Sequence, residues 1–198
     1  MSNESPRYAG SVGERKERLF EGLEGTLLEL GAGAGANIPH LPPAVRLVAL
    51  EPNPFMHPYL LNRALAEERP LALVQGTAEA LPFPDESLDA VLSTLVLCSV
   101  GELDRVLGEV VRVLKPEGRF LFLEHVVDKN NFARRTTQKV MPYTPWRIFA
   151  EGCRPARDIG KAIEKSGFSN VEYTNYMQEG SGIITSITRP HIVGYAIK

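Results

Sequence analysis

Short apolar runs alternate along the chain with segments in which apolar residues recur at helical spacing. Apolar runs bounded by turn residues are typical of buried parallel strands, and the amphipathic segments between them are typical of covering helices. This pattern predicts an α/β fold with a parallel sheet covered on both faces. The predicted strands are residues 26–30, 46–50, 71–75, 87–94, 119–124, 170–176 and 191–197. The predicted helices are residues 11–24, 54–67, 102–114 and 155–166.

Three local features refine this pattern. The helix over 54–67 is expected to turn Phe55, Tyr59, Leu60 and Ala64 towards the core. At residues 115–118, Lys-Pro-Glu-Gly ends the helix before it, because proline cannot continue a helix and glycine allows the chain to reverse. Residues 128–152 have a less regular pattern, and the last two strands are expected to form an antiparallel hairpin at the sheet edge.

Length and composition limit the possible functions. The 198 residues suffice for one domain spanning 1–198, with a flexible or lid-like segment at 1–10. A net charge of −2 offers no basic field for nucleic acid. The apolar run 90–101 is too short to cross a membrane, and the N-terminus lacks an apolar signal core. Two widely separated cysteines do not suggest a disulfide framework, so a cytoplasmic location is expected.

A glycine-rich turn carries the most informative chemistry. Gly31, Gly33 and Gly35 follow the first strand, and Glu51 ends the second strand 20 residues after Gly31. Glycines let a backbone pass close to a ligand, and a carboxylate at the next strand end can accept both hydroxyls of a ribose. A nucleoside-containing ligand is therefore predicted. The same residues fit the dinucleotide fingerprint, with Ala36 at its third position, and the pattern Glu29-x-Gly-x-Gly-x-Gly of S-adenosylmethionine (SAM) enzymes.

Further segments resemble class I SAM-dependent methyltransferases. The loop 76–89 and the turn 114–122 are similar to typical segments of that superfamily, and the terminal hairpin fits its seventh, antiparallel strand. The resemblance implies a Rossmann-like, seven-stranded, mostly parallel sheet with helices on both faces. Over residues 8–198 the chain is similar to the thiol S-methyltransferase-like branch, whose animal members methylate small alkyl thiols. Its most specific blocks here are 95–100 and Pro190-His191.

The resemblance implies SAM as cofactor and S-adenosylhomocysteine as product. The residues expected to contact SAM come from the glycine turn and from the ends of strands two, three and four. They are Glu29, Gly31, Ala32, Gly33, Gly35, Asn37, Glu51, Pro52, Asn53, Met56, Gly76, Thr77, Ala78, Glu79, Thr94, Leu95 and Val96, with Tyr8 as a lid.

Specific roles are expected for five of these residues. Glu29 would reach the ammonium group of SAM, and Glu51 would accept the ribose hydroxyls. Ala78 would offer its backbone N–H to the adenine, while the carbonyls of Thr94 and Leu95 would hold the SAM amino group.

Methyl transfer from a sulfonium is an in-line displacement that depends mainly on positioning and desolvation, so a base is helpful without being obligatory. His125, just past the fifth strand, is the best candidate because its pKa lies near working pH. Asp128 and His191 are weaker candidates. Cys98 is interpreted as a wall of the acceptor pocket. No metal site is predicted, because the four histidines show no ligand spacing with the two cysteines.

The chain also departs from the family pattern. Animal members carry an apolar N-terminal anchor, and residues 1–10 do not predict one here. Thr77 and Glu51 stand where relatives have aspartate, and residues 178–188 diverge. The predicted function is methyl transfer from SAM to a small-molecule acceptor, preferably a thiol sulfur. The alternatives are a quinone carbon or phenol oxygen as acceptor, a non-catalytic SAM-binding subunit, and a nicotinamide dehydrogenase.

Overall fold

One sheet of seven strands organises the part of the chain that the computed structural model describes, residues 10–150, 152–180 and 182–198. Side chains 147, 148 and 183–185 lie outside this description, as does Tyr8 with the segment predicted as a lid. The strands are β1 Gly25–Leu30, β2 Val45–Leu50, β3 Leu71–Val74, β4 Leu88–Thr94, β5 Leu114–His125, β6 Asn170–Met177 and β7 Pro190–Ile197. The helices are α1 Val12–Phe20, α2 His57–Ala66, α3 Leu103–Val113, α4 Phe132–Val140, α5 Trp146–Phe149, α6 Ile159–Lys165 and α7 Ile183–Thr188, with short 3-10 turns at Ile38–His40 and Met141–Tyr143.

The strand order is β3-β2-β1-β4-β5-β7-β6. Strands β1 to β5 pair in parallel, whereas β7 is inserted antiparallel between β5 and β6. This arrangement confirms the predicted Rossmann-like sheet and the terminal antiparallel pair, although helix α7 lies in the connection between the last two strands. Within the described residues, no helix combines the length and apolar composition needed to cross a bilayer.

Two apolar cores cover the two faces of the sheet. Alternate residues of a strand point to opposite faces, so Leu28 enters one core and Leu27 the other. Helix α3 packs against the first core through Val106 and Val110, and α1 packs against the second through Phe20. Each such side chain contributes about 1.5–3 kcal/mol on burial. The packing fixes the strand ends, which carry the polar residues described below.

Two local predictions were wrong. Phe55 and Tyr59 are 81% and 64% exposed, because α2 begins only at His57 and packs through a narrow stripe of Leu60 and Ala64. Helix α3 ends at Val113, before residues 115–118 as predicted, but these four residues form an irregularity within β5 instead of a turn before the strand, because Leu88 pairs with Leu114 and Ala90 pairs with Arg119. The left-handed residue there is Glu117 (φ +61°) rather than the glycine.

The irregular region predicted over 128–152 contains regular structure. Helix α4 begins after Asn131, whose side chain accepts a hydrogen bond from the N–H of Arg134 at 2.9 Å. This cap satisfies one of the N–H groups that the first turn leaves unpaired. Helix α4 has no apolar face that would indicate a helical period in the sequence, because its only buried residue is Gln138.

Among the described glycines of the sheet, Gly194 leaves the least space for a side chain. A Cβ at this position of β7 would overlap the carbonyl oxygen of Glu172 and lie 2.5 Å from the Cβ of Tyr173, both on β6. Gly194→Ala is therefore expected to lower the unfolding free energy by about 3 kcal/mol or more in urea titrations. Gly108→Ala is the matched control: it has open space on α3 and should stabilise by about 0.5–1 kcal/mol. Equal stabilities of the two variants would contradict the described packing.

Candidate active site

A cleft of about 510 Å³ opens at the carboxyl ends of β1, β2 and β4. The strand order reverses between β1 and β4, and ligands of open α/β sheets bind at such a switch point. The volume falls in the range of small-ligand sites. The lining residues are Gly31, Gly33, Leu50, Glu51, Pro52, Asn53, Met56, Thr77, Ala78, Glu79, Thr94, Leu95, Val96, Ser99, Val100 and Gly101.

A second cavity, of about 520 Å³, lies at the opposite end of the strands, where β1 and β4 begin. Its lining includes Gly25 at the start of β1 and Asp89 near the start of β4. The Asp89 carboxylate is already engaged, because it accepts the N–H of Thr26 at 2.8 Å and the Lys115 ammonium at 2.6 Å. The switch-point cleft is therefore the candidate active site.

The glycine turn forms the floor of this cleft. Gly31, Gly33 and Gly35 have φ values of +56°, +55° and +81°, a region that residues with a Cβ rarely adopt. A Cβ at Gly31 would also lie 2.8 Å from the Cγ2 of Val96. The turn therefore needs glycine for its own conformation and for its close approach to the loop after β4.

Glu51 stands at the end of β2 with both carboxylate oxygens fixed. Oε2 accepts the N–H of Gly33 at 2.7 Å, and Oε1 accepts the N–H of Asn53 at 2.8 Å. A carboxylate has about four acceptor positions, so each oxygen retains capacity for a further donor. Glu51 is 5% exposed and lines the cleft. The geometry provides a preorganised acceptor for a pair of hydroxyl groups.

Behind the glycine turn lies a buried polar group built on Glu29. Oε1 of Glu29 accepts the side-chain amide of Asn37 at 2.6 Å, and the same amide donates to Oγ1 of Thr94 at 3.1 Å. Burial raises the pKa of Glu29 to about 7, while the Asn37 hydrogen bond and the charge of Lys16 oppose this rise. Oε2 of Glu29 and Oδ1 of Asn37 are buried acceptors without a donor in the described part of the chain.

The loop after β4 forms one wall of the cleft, and Glu124 on β5 holds it in place. Oε1 of Glu124 accepts the hydroxyl of Ser93 at 2.6 Å and the N–H groups of Val96 and Leu97 at 3.0 and 3.2 Å. Leu95 takes the left-handed conformation (φ +59°) at the bend. No role was predicted for Glu124, because a carboxylate at a predicted strand end gives no signal that it is buried.

The loop after β3 forms the opposite wall through Thr77, Ala78 and Glu79. Oε1 of Glu79 accepts the N–H of Gly101 at 2.8 Å, which links this loop to the end of the β4 loop. The two walls are thus tied together across the cleft mouth.

The structure brings together most of the residues predicted to contact SAM. Leu50, Ser99, Val100 and Gly101 line the cleft in addition to the predicted set, and they could have been found as neighbours of Glu51 and Val96. The predicted residues that lie outside the lining are Glu29, Ala32, Gly35, Asn37 and Gly76, while Tyr8 is outside the described residues.

The candidate bases have other neighbours. Nε2 of His125 lies 3.1 Å from Sγ of Cys153, and neither His125 nor Cys98 is part of the cleft lining. Asp128 pairs with Arg134 and accepts two backbone N–H groups. Nδ1 of His191 lies 2.9 Å from the carbonyl of Arg189, and burial lowers the pKa of His191 to about 4.

The donor and acceptor groups present fit SAM. Glu51 suits the ribose hydroxyls, and the buried acceptors of Glu29 and Asn37, which have no donor within the described residues, suit a positively charged amino group close to the turn. Gly31 has no Cβ, and this allows the glycine turn to approach Val96 closely at the floor of the cleft.

Comparisons with known proteins agree with this geometry. A family model described as a methyltransferase domain matches residues 28–122. Human thiol S-methyltransferase TMT1A is 34% identical over 96% of this chain and 81% of its own length, and rat thiol S-methyltransferase TMT1B is 37% identical over 100% and 84%. A crystal structure of a putative methyltransferase from Bacillus halodurans shares the fold, with a TM-score of 0.74 at 16% identity over 96% of this chain and 99% of that one. The chain therefore belongs to the thiol S-methyltransferase family and is a class I SAM-dependent methyltransferase.

Proposed function

We propose that this enzyme transfers the methyl group of SAM to the sulfur of a small thiol, with SAM held in the cleft between β1 and β4. Family membership over almost the whole chain carries the choice of acceptor, since relatives at 34–37% identity are named thiol S-methyltransferases. When bound, SAM supplies an electrophilic methyl group on a positively charged sulfur.

Each wall of the cleft has a part in holding the cofactor. Glu51 accepts the ribose hydroxyls while Gly33 and Asn53 keep its carboxylate oriented. Thr77, Ala78 and Glu79 present backbone and polar groups to the adenine edge. Thr94 and Leu95 line the part of the cleft that would hold the amino-acid end of SAM, and Glu29 and Asn37 lie behind the glycine turn there, with buried acceptors that have no donor among the described residues.

The protein contributes to methyl transfer mainly by positioning the acceptor and by giving it an apolar environment. Met56, Leu95, Val96 and Val100 line the cleft and favour a small apolar acceptor over a charged one. An aqueous thiol with a pKa of about 8.5 already provides some thiolate at neutral pH. A protein base would add to the rate without being required, and His125 as that base stays a prediction.

The cysteines and the net charge bear on the cellular compartment and on the type of methyl acceptor. The free thiols of Cys98 and Cys153 suit a reducing compartment, so we place the enzyme in the cytoplasm. The net charge of −2 favours a small-molecule acceptor over nucleic acid.

Methyl transfer can be tested with SAM carrying an isotopically labelled methyl group. We expect label in the thioether of a small alkyl thiol, with one S-adenosylhomocysteine formed for each thioether. A phenol and a hydroquinone of similar size serve as matched acceptors and should remain unlabelled. Label only in the oxygen or carbon acceptors would contradict the thiol assignment, and bound SAM without any S-adenosylhomocysteine would indicate a non-catalytic subunit.

A further inference from the structure

Two cysteines and one histidine converge where the carboxyl ends of β4 and β5 meet the segment before α6. Cys98 lies in the loop after β4, His125 is the last residue of β5, and Cys153 precedes α6. Their ligand atoms all lie within 4.8 Å of one another, and Nε2 of His125 is 3.1 Å from Sγ of Cys153. The three residues are 2%, 6% and 5% exposed. We refer to them as the thiol–imidazole cluster.

Hydrogen bonds to backbone carbonyls hold the segments that carry the cluster next to one another. The Arg157 guanidinium donates to the carbonyls of Leu97 and Val100, both at 2.6 Å. The N–H of Arg154 donates to the carbonyl of Cys98 at 2.9 Å. The segment that carries Cys153 is thereby fastened to the loop that carries Cys98.

The other two positions are equally constrained. The indole N–H of Trp146 donates to the carbonyl of Cys153 at 3.1 Å. His125 is paired on β5 with His191 of the neighbouring strand, and the next residue, Val126, donates its N–H to the carbonyl of Pro190 at 2.8 Å. The three side chains that carry the ligand atoms are therefore attached to backbone that is held in place, as a ligand site requires.

Two thiolates and one imidazole form a ligand set that selects among metals. Calcium and magnesium require oxygen ligands, whereas cysteine and histidine are the usual ligands of Zn²⁺. With Zn–S near 2.3 Å and Zn–N near 2.0–2.1 Å, tetrahedral ligand atoms lie roughly 3.5–3.8 Å apart. The observed separations need only small side-chain adjustments to reach this geometry.

We propose that Cys98, His125 and Cys153 bind one Zn²⁺ ion, with the fourth position taken by a ligand from outside this trio. Three protein ligands with one further position is an established arrangement for Zn²⁺. The ion would cross-link the loop after β4, the end of β5 and the segment before α6. Ser99, adjacent to Cys98, lines the cofactor cleft, so the cross-link would also fix that wall of the cleft.

This assignment gives His125 a role that differs from a catalytic base. A zinc-bound Nε2 has no lone pair left to accept a proton, so the two roles exclude each other at that atom. His125→Asn separates them. Loss of zinc with His125→Asn supports the ligand role, whereas retained zinc with loss of turnover supports the base and overturns the proposal.

The test measures metal content in the full chain. The purified, reduced protein is equilibrated with Zn²⁺ under a reductant that does not bind metals, freed of loose ions, and analysed by elemental mass spectrometry. We expect about one zinc per chain in the wild type and in the matched control His40→Gln. Cys98→Ser and Cys153→Ser should each lose most of it. Wild-type protein without zinc, or serine variants with undiminished zinc, would overturn the proposal.

Cobalt substitution keeps the proposal testable if a serine variant fails to fold. Wild-type protein loaded with Co²⁺ should show the intense near-ultraviolet band of thiolate-to-cobalt charge transfer together with the visible bands of tetrahedral cobalt. Addition of Zn²⁺ should abolish both. Absence of the thiolate band in folded, fully reduced protein would contradict cysteine ligation. Reduced protein that forms a Cys98–Cys153 disulfide instead of binding metal would contradict it as well.

Discussion

Glu51→Gln is expected to raise the Kd for SAM roughly 5- to 150-fold, which corresponds to about 1–3 kcal/mol. The amide replaces one acceptor oxygen by a donor. That donor would face either the N–H of Gly33 or the N–H of Asn53 and could no longer accept a ribose hydroxyl. Isothermal titration calorimetry with SAM measures the effect directly.

Glu67→Gln is a suitable control for this variant. Glu67 pairs with Arg63 at 3.3 Å, outside the cleft lining, and its loss should leave the affinity for SAM unchanged. Because Glu51 also organises the turns around it, circular dichroism should accompany the titration. A folded Glu51→Gln protein with wild-type affinity would disprove the ribose assignment.

The buried Glu29 should make the stability of the cofactor-free enzyme depend on pH. Its folded-state pKa of about 7 lies above the reference value of 4.5, so the folded state binds more protons between these pH values. The unfolding free energy should therefore fall as pH rises from 4.5 to about 8. Relative to Glu29→Gln, the loss should be on the order of 3 kcal/mol.

Urea unfolding of the two proteins at pH 5 and pH 8 tests this expectation. A stability difference between wild type and Glu29→Gln that is equal at both pH values would contradict the burial of an ionisable Glu29. Saturating SAM should reduce the pH dependence of the wild type, because the cationic amino group of the cofactor favours the ionised carboxylate.

The cofactor cleft was largely predictable because its signals are local in sequence. The turn from Gly31 to Gly35 needs left-handed backbone at each of its three glycines, and Glu51 ends an apolar strand at a fixed spacing from that turn. The alternation of apolar runs likewise predicted the parallel sheet. Such features depend on backbone conformation and strand period, which a single sequence expresses directly.

Other features depend on tertiary contacts that no local pattern shows. Cys98, His125 and Cys153 are far apart in sequence and converge only because β5 lies beside β4 and Arg157 ties down the segment before α6. Glu124 sits in a strand where burial, rather than residue type, decides its role. The exposed Phe55 was placed inside because helical periodicity was extended past the true start of α2.

The cleft between β1 and β4 is expected to bind SAM through the carboxylate of Glu51. A crystal structure with S-adenosylhomocysteine tests it most directly. We expect both ribose hydroxyls within hydrogen-bonding distance of Glu51, with the amino-acid end over the glycine turn beside Glu29 and Asn37. A nucleoside bound elsewhere, or one whose ribose leaves Glu51 bonded only to Gly33 and Asn53, would contradict the account.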